Sequence, residues 1–198
     1  LFLEQFPHLV SKSEVIYNLI DTAAFQQPEE SNSTFHLGLL GMIPKLKAPH
    51  LAVEILEALH TQDDRFRLFI KGKQAKDYPW MKQKVMENKY YEAFYQNLAE
   101  SRISSAISFD PFDKEVAAWY GKIGFILSTS EVEGSHQAVA EGMASGAIPI
   151  IRNWPGAEDI YPTRYIFESV EQAVALIHQF RQPDRYRQEA KFAQDFDR

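Results

Sequence analysis

From Phe35 onward, short apolar or β-branched runs alternate with longer stretches of helical period. That alternation constrains the fold more than any other feature. Strands that recur with a helix between them bury both faces as a parallel sheet wrapped by helices. The runs predict strands at Phe35–Gly41, Phe66–Lys71, Ala106–Phe109, Gly124–Ser130, Ile148–Arg152 and Tyr165–Phe167. Helices are predicted at Pro49–Leu59, Pro79–Arg102, Lys114–Gly121, Ser135–Ser145, Val170–Phe180 and Arg185–Phe196. The fold class is therefore α/β, a Rossmann-like parallel sheet flanked by helices.

With 198 residues, 45% of them hydrophobic and 24% charged, the chain can bury such a core as one domain. A formal net charge of −6 argues against a broad footprint for nucleic acid, which is gripped through clustered Lys and Arg. Any phosphate recognised should be small and local. There is no cysteine, hence no disulfide framework and no thiolate metal site, which suits a cytoplasmic protein. No apolar run reaches the roughly 18 residues that read as a membrane span. Leu1–Val10, interrupted by Glu4, Gln5 and Pro7, does not read as a signal peptide. At most, the protein is expected to sit peripherally on the inner face of a membrane.

The first 34 residues differ in character from the rest. Ser13–Asn18 reads as one more strand and the polar stretch Gln26–Thr34 as a linker or loop, so residues 1–34 are separated from a domain at 35–198. Without an initiator Met, and ending in the charged run Arg185–Arg198, the chain is expected to be part of something longer.

In an open parallel sheet, ligands bind beyond the carboxyl ends of the strands, where the strand order reverses. For the common order 3-2-1-4-5-6 that point lies between Phe35–Gly41 and Gly124–Ser130. The first of the two loops there, Gly41 to Lys47, offers a glycine turn with Lys45 and Lys47, which meet an anion as point charges or remain solvated. The second runs from Ser128 through Glu133, Gly134, Ser135, His136 and Gln137 into a helix bearing Glu141. A helix N-terminus presents unpaired N–H groups and the positive end of its dipole, a ready seat for a diphosphate. Glu133 and Glu141, eight residues apart, can accept hydrogen bonds from hydroxyls at opposite ends of a ligand. They read equally as a charge complementing the helix dipole and a salt-bridged surface residue.

The run Glu133-x7-Glu141 followed by Gly142-Met143-Ala144-Ser145-Gly146-Ala147-Ile148-Pro149-Ile150 closely resembles the group 1 family of retaining GT-B glycosyltransferases. The resemblance extends to Val15–Asp21, to Gly41 with Lys47, and to Gly156–Ile160, so it spans roughly residues 13 to 180. It implies a C-terminal domain that binds a nucleotide diphospho-sugar donor, with the N-terminal acceptor domain lying outside this chain. The acceptor implied is a polysaccharide, a lipid-linked glycan or a small molecule. By the resemblance, Glu133 contacts hydroxyls of the transferred sugar and Glu141 the ribose. Backbone N–H groups of Ser135, His136 and Gln137 then take sugar and phosphate, and Lys47 neutralises the departing diphosphate, so Glu133 and Lys47 are the catalytic candidates. Ser108 and Phe109 would lie near the base.

The reaction so implied needs no cofactor, no protein nucleophile and no metal; Asp195 and Asp197 read as solvated. Two positions depart from the family. Met42 stands where an Arg usually follows the loop glycine, so Lys45, Lys71, Lys73 or Arg152 would have to supply that phosphate contact. His136 stands where many members have Gly. A nucleotide-sugar epimerase or phosphorylase-like enzyme shares the architecture. Met42 also suits a non-catalytic module that senses a nucleotide sugar.

Overall fold

The structure, a computed structural model, describes residues 5–14, 18–25 and 33–196. Its centre is a six-stranded, all-parallel sheet: β1 His36–Leu40, β2 Arg67–Lys71, β3 Ile107–Asp110, β4 Phe125–Ser128, β5 Ile148–Arg152 and β6 Ile166–Phe167, in the order β3-β2-β1-β4-β5-β6. Leu37 sits in register with Leu68 on one side and Phe125 on the other, so the order reverses between β1 and β4 as the sequence predicts. All four residues of β4 and the first four of β5 are buried, the mark of central strands covered on both faces. The edge strand β3 has no fully buried residue.

Seven α-helices are described: α1 Pro49–His60, α2 Val85–Glu100, α3 Val116–Tyr120, α4 Gln137–Ala144, α5 Ala157–Ile160, α6 Val170–Phe180 and α7 Pro183–Phe196. In α1, Pro49 takes the first helical position, where its missing N–H costs nothing, and Ala52, Ile55, Leu56 and Leu59 form one buried stripe. That stripe packs on the sheet and on α6, whose start is capped by the Ser169 hydroxyl accepting from the Gln172 N–H at 3.3 Å. On the opposite face α4 packs against β4, α3 and α7. The approach of α4 to the sheet depends on Gly142, because a Cβ there would stand 2.9 Å from the Ile126 side chain.

Several boundaries differ from the sequence reading. Pro79–Arg102 is not one helix: Pro79–Gln83 is a 3-10 turn, Lys84 leaves helical geometry at φ −98° and ψ 75°, and α2 begins at Val85. Lys114–Gly121 contracts to α3. The helix placed at Ser135 begins two residues later, because His136 adopts a left-handed backbone at φ 35°. Pro183 starts α7 ahead of the expected Arg185. Of the strand read at Ser13–Asn18, Val15–Tyr17 lie outside the described residues, as do Gln26–Asn32 of the linker. Pro7–Lys12 forms a 3-10 helix, and Ser33–Phe35 makes a 3-10 turn into β1. No helix among the described residues is long and apolar enough to cross a membrane.

Candidate active site at the strand-order reversal

The loop after β1 is held from below. Gly41, at φ 78°, donates its N–H to the Lys71 carbonyl at 2.8 Å, and Met42 is buried, with the Tyr91 hydroxyl on its carbonyl and its sulfur 3.9 Å from the Tyr95 hydroxyl. Met42 therefore belongs to the core and does not face the loop's outer side. Lys45 is exposed and its backbone N–H donates to Glu87 at 2.9 Å. Lys45–Lys47 form a 3-10 turn that ends at Ala48, itself left-handed at φ 44° and the N-cap of α1.

The loop after β4 is held by polar groups. Ser128, Thr129, Ser130 and His136 are all buried. The Thr129 hydroxyl donates to the Lys47 carbonyl at 2.7 Å and the Glu131 N–H to the Leu46 carbonyl at 2.8 Å, so the two loops are stitched together. Arg152, at the end of β5, reaches the Thr129 carbonyl at 3.4 Å. The Tyr161 hydroxyl donates to the Ser135 carbonyl at 3.1 Å, and Asn18 reaches the Ser135 hydroxyl at 3.3 Å. His136 is left-handed, like Ala48, and α4 begins after it without a side-chain cap. Among the described residues, Ala48 and His136 are the non-glycine positions at positive φ, and they open the two helices that flank the reversal point. Non-glycine residues in that region cost of order 1–2 kcal/mol each and persist where surrounding contacts over-determine them.

Lys47 and Glu133 meet where the loops face each other. The Lys47 ammonium donates to Glu133 Oε1 at 2.6 Å, the Ser130 hydroxyl to the same oxygen at 2.5 Å, and His136 Nε2 lies 3.6 Å from it. The other ring nitrogen, Nδ1, is 2.6 Å from the Ser128 hydroxyl. Burial lowers the His136 pKa to about 4 against the opposing pull of Glu133, so the ring is neutral near pH 7. Burial alone would raise Glu133; His136, Lys47 and Ser130 together outweigh it and hold the carboxyl below its ordinary value. The result is a half-buried carboxylate whose three neighbours crowd one oxygen, Oε1.

Further along α4, Glu141 accepts from the Tyr120 hydroxyl at 3.2 Å, and that hydroxyl also contacts the Ala138 carbonyl at 2.8 Å. Burial raises the Glu141 carboxyl against the hydrogen bonds from Tyr120 and Gln137. Burial, with the Glu141 charge second, raises the Tyr120 phenol. The two glutamates thus stand at and beyond the start of one helix in different settings, Glu133 against a cation and Glu141 against a phenol. Gly134 and Gln137 are exposed beside them.

The remaining candidates fall elsewhere. Lys71 is buried at the end of β2, its ammonium fixed by Asp113 at 2.8 Å and the Pro111 carbonyl at 3.0 Å, a pairing that spends its charge within the protein. Lys73 lies over the Tyr78 and Phe112 rings. Ser108 and Phe109 are on β3, two strands out from β1, and the Phe109 ring packs 6.1 Å from Tyr95. No group of three or more His, Cys, Asp or Glu side chains suited to a metal occurs among the described residues. The sequence reading passed over Ser128, Ser130, Tyr120 and Tyr161 as site residues. For the serines the signal was present, since consecutive small hydroxyls at a central strand's end have little to pack and much to bond. A separate groove of about 960 Å³ runs between α1 and α2, away from the reversal point.

Known structures share this Rossmann-like sheet. The chain superposes on TarM with a TM-score of 0.73 at 14% identity, covering 98% of this chain and 38% of TarM. It matches the C-terminal domain of the group 1 family glycosyl transferase LpcC from Francisella tularensis with a TM-score of 0.69 at 20% identity, covering 89% of this chain and 95% of that domain. Anabaena HepE, solved with UDP and glucose, matches with a TM-score of 0.73 at 14% identity over 93% of this chain and 51% of HepE. No protein-family model and no curated protein sequence matches the chain. The fold is that of the C-terminal domain of a GT-B glycosyltransferase, as the sequence resemblance implies. The chain spans about half of HepE and less of TarM.

Proposed function

We propose that this chain is the donor-binding domain of a retaining glycosyltransferase that uses a nucleotide diphospho-sugar. The observation that supports it best is the crowding of Lys47, Ser130 and His136 onto Oε1 of Glu133, which leaves Oε2 to accept from a sugar hydroxyl. Lys47 uses one of its three N–H donors on Glu133 and keeps two for a phosphate placed between the loops. The uncapped start of α4 adds dipole and N–H groups at the same point. Glu141, one helix face further on, takes the ribose.

In the reaction, the bond from the sugar's anomeric carbon to the diphosphate breaks and the bond to the acceptor oxygen forms on the same face. The acceptor's proton passes to a phosphate oxygen as the diphosphate leaves, so no protein nucleophile takes part. Lys47 and the helix start stabilise the negative charge that develops on the diphosphate. The acceptor, a polysaccharide, lipid-linked glycan or small molecule, is read by a partner domain in the whole enzyme. Because Anabaena HepE was solved with UDP, uridine nucleotides are the first donors to test. Met42, committed to the core, favours a second reading in which the chain senses a nucleotide sugar without transferring it.

Titration calorimetry against UDP, GDP, ADP and UDP-glucose tests the donor site. Binding of at least one is expected, and a folded sample that binds none overturns the reading. Glu141→Ala should weaken nucleotide binding roughly tenfold, the worth of one charge-assisted hydrogen bond. Glu133→Gln should leave UDP binding in place and abolish any preference for the intact UDP-sugar. Whole protein that binds donor but neither transfers nor hydrolyses it would favour the sensor.

A further inference from the structure

We propose that the rim built from Gly72–Met86 and Phe112 docks this domain on an anionic membrane surface. The segment Lys71-Gly72-Lys73-Gln74-Ala75-Lys76-Asp77-Tyr78-Pro79-Trp80-Met81-Lys82-Gln83-Lys84 carries five lysines and one acid, in a chain whose formal net charge is −6. Lys71 is buried and paired with Asp113, whereas Lys73, Lys76, Lys82 and Lys84 are all exposed. Of the acids nearby, Asp113 is neutralised by Lys71, while Asp77, Glu87 and the exposed Glu115 keep their charge and are outnumbered by the exposed lysines. Asp77 accepts the Gln74 N–H at 2.8 Å, Glu87 accepts the Lys45 N–H at 2.9 Å, and Asp113 holds Lys71. Glu131, whose N–H bonds the Leu46 carbonyl, bounds the patch on the side of the active site.

Apolar tips stand among these cations. Phe112 and Met86 are each 69% exposed, and Val85, Trp80 and Leu46 are exposed too. Lys73 joins part of the cluster: the Tyr78 and Trp80 rings are 5.2 Å apart, and the Lys73 ammonium lies 5.7 Å from the Tyr78 ring centre and 5.5 Å from that of Phe112. Met86 and Val85 open α2 directly after Lys82 and Lys84. Rings and short apolar tips interleaved with lysines suit the boundary between lipid headgroups and acyl chains, where aromatic residues settle and cations meet anionic lipids. The 3-10 turns at Ala75–Asp77 and Pro79–Gln83 fix the alternation of these side chains along the rim.

The proposal does not rest on the donor reading, since vesicle binding and nucleotide binding are separate measurements. The test is co-sedimentation of the 198-residue chain with vesicles of phosphatidylcholine alone or mixed equally with phosphatidylglycerol, at low and high salt. Trp80 is the reporter, because Trp119 and Trp154 are buried. Binding to the anionic vesicles alone, weakened by salt and accompanied by a blue shift of the emission, is expected. Each lysine near an anionic surface is worth roughly a fivefold gain in partitioning, so changing Lys73, Lys76, Lys82 and Lys84 to Gln should reduce it by roughly several hundredfold. Lys191→Gln, on α7, should leave it unchanged. If the fourfold variant does not fold by circular dichroism, the pairs Lys73→Gln with Lys76→Gln and Lys82→Gln with Lys84→Gln give the same reading in smaller steps. No partitioning, equal partitioning onto neutral vesicles, or partitioning untouched by the substitutions overturns the proposal. So does lysine-dependent binding of heparin without vesicle binding, which would assign the rim to an acidic glycan.

Discussion

The loop after β1 is anchored by an apolar side chain, Met42, while the loop after β4 is anchored by buried polar groups, Ser128, Thr129, Ser130 and His136. Both end in a left-handed non-glycine residue that opens a helix, and both present a charge to the space between them. The difference lies in what each can tolerate. An apolar anchor fixes a backbone whatever the pH, but it rejects any polar substitute. A hydrogen-bonded anchor orients a functional group, as Ser128 does for His136 and Ser130 for Glu133, and it fails when a proton arrives or a partner is lost.

Charging the apolar anchor is the largest perturbation of this contrast. Met42→Arg should destabilise the fold by about 3–5 kcal/mol, the cost of a buried cation without a partner, measured by urea denaturation. A variant of unchanged stability that binds nucleotide more tightly would show that the position reaches the ligand after all. Acid is next. Because folding lowers the His136 pKa from 6.5 to about 4, the unfolded chain binds that proton more readily. The stability His136 contributes is complete above pH 6.5 and drains away as the pH falls toward 4. Glu133, also lowered in the fold, adds a loss in the same direction below its ordinary value. The His136 part is on the order of 3 kcal/mol. The denaturation midpoint should therefore drop from pH 7 to 4.5, and His136→Asn should flatten that slope; an unaltered slope would break the comparison.

Ser128→Ala strips the partner from the buried imidazole and should cost about 1–3 kcal/mol. A matched pair of glycine substitutions gives the finest test. Ala48→Gly relieves a strained backbone with nothing else lost and should raise stability by about 1 kcal/mol, the left-handed penalty less the added freedom of the unfolded chain. His136→Gly relieves the same kind of strain but removes the ring that links Ser128 to Glu133, so its net effect should be destabilising. Thermal melts that moved both variants in the same direction would mean the two caps are equivalent.

Much of this was legible in the chain. The alternation of short apolar runs with helical stretches carried the class, because it depends on near-neighbour patterning, and the common strand order, taken as the expectation, is the one observed. Glu133, Glu141 and Lys47 stood out through their place beside the central strands. What was not legible depends on partners distant in sequence. Lys71 read as a possible phosphate contact because Asp113, which neutralises it, is 42 residues away. The burial of Met42 was not legible because its partners Tyr91 and Tyr95 lie 49 and 53 residues away. The late start of α4 depends on the left-handed turn at His136, which an imidazole side chain does not announce as a glycine would.

Gly142 gives the helix that carries Glu141 its depth, since the absent methyl lets α4 rest on Ile126. The height of the Glu141 carboxylate above the sheet is therefore set by a contact on the far side of the helix. The position of that carboxylate can then shift through exchanges at Ile126 or Gly142, with every residue of the two facing loops left as it is.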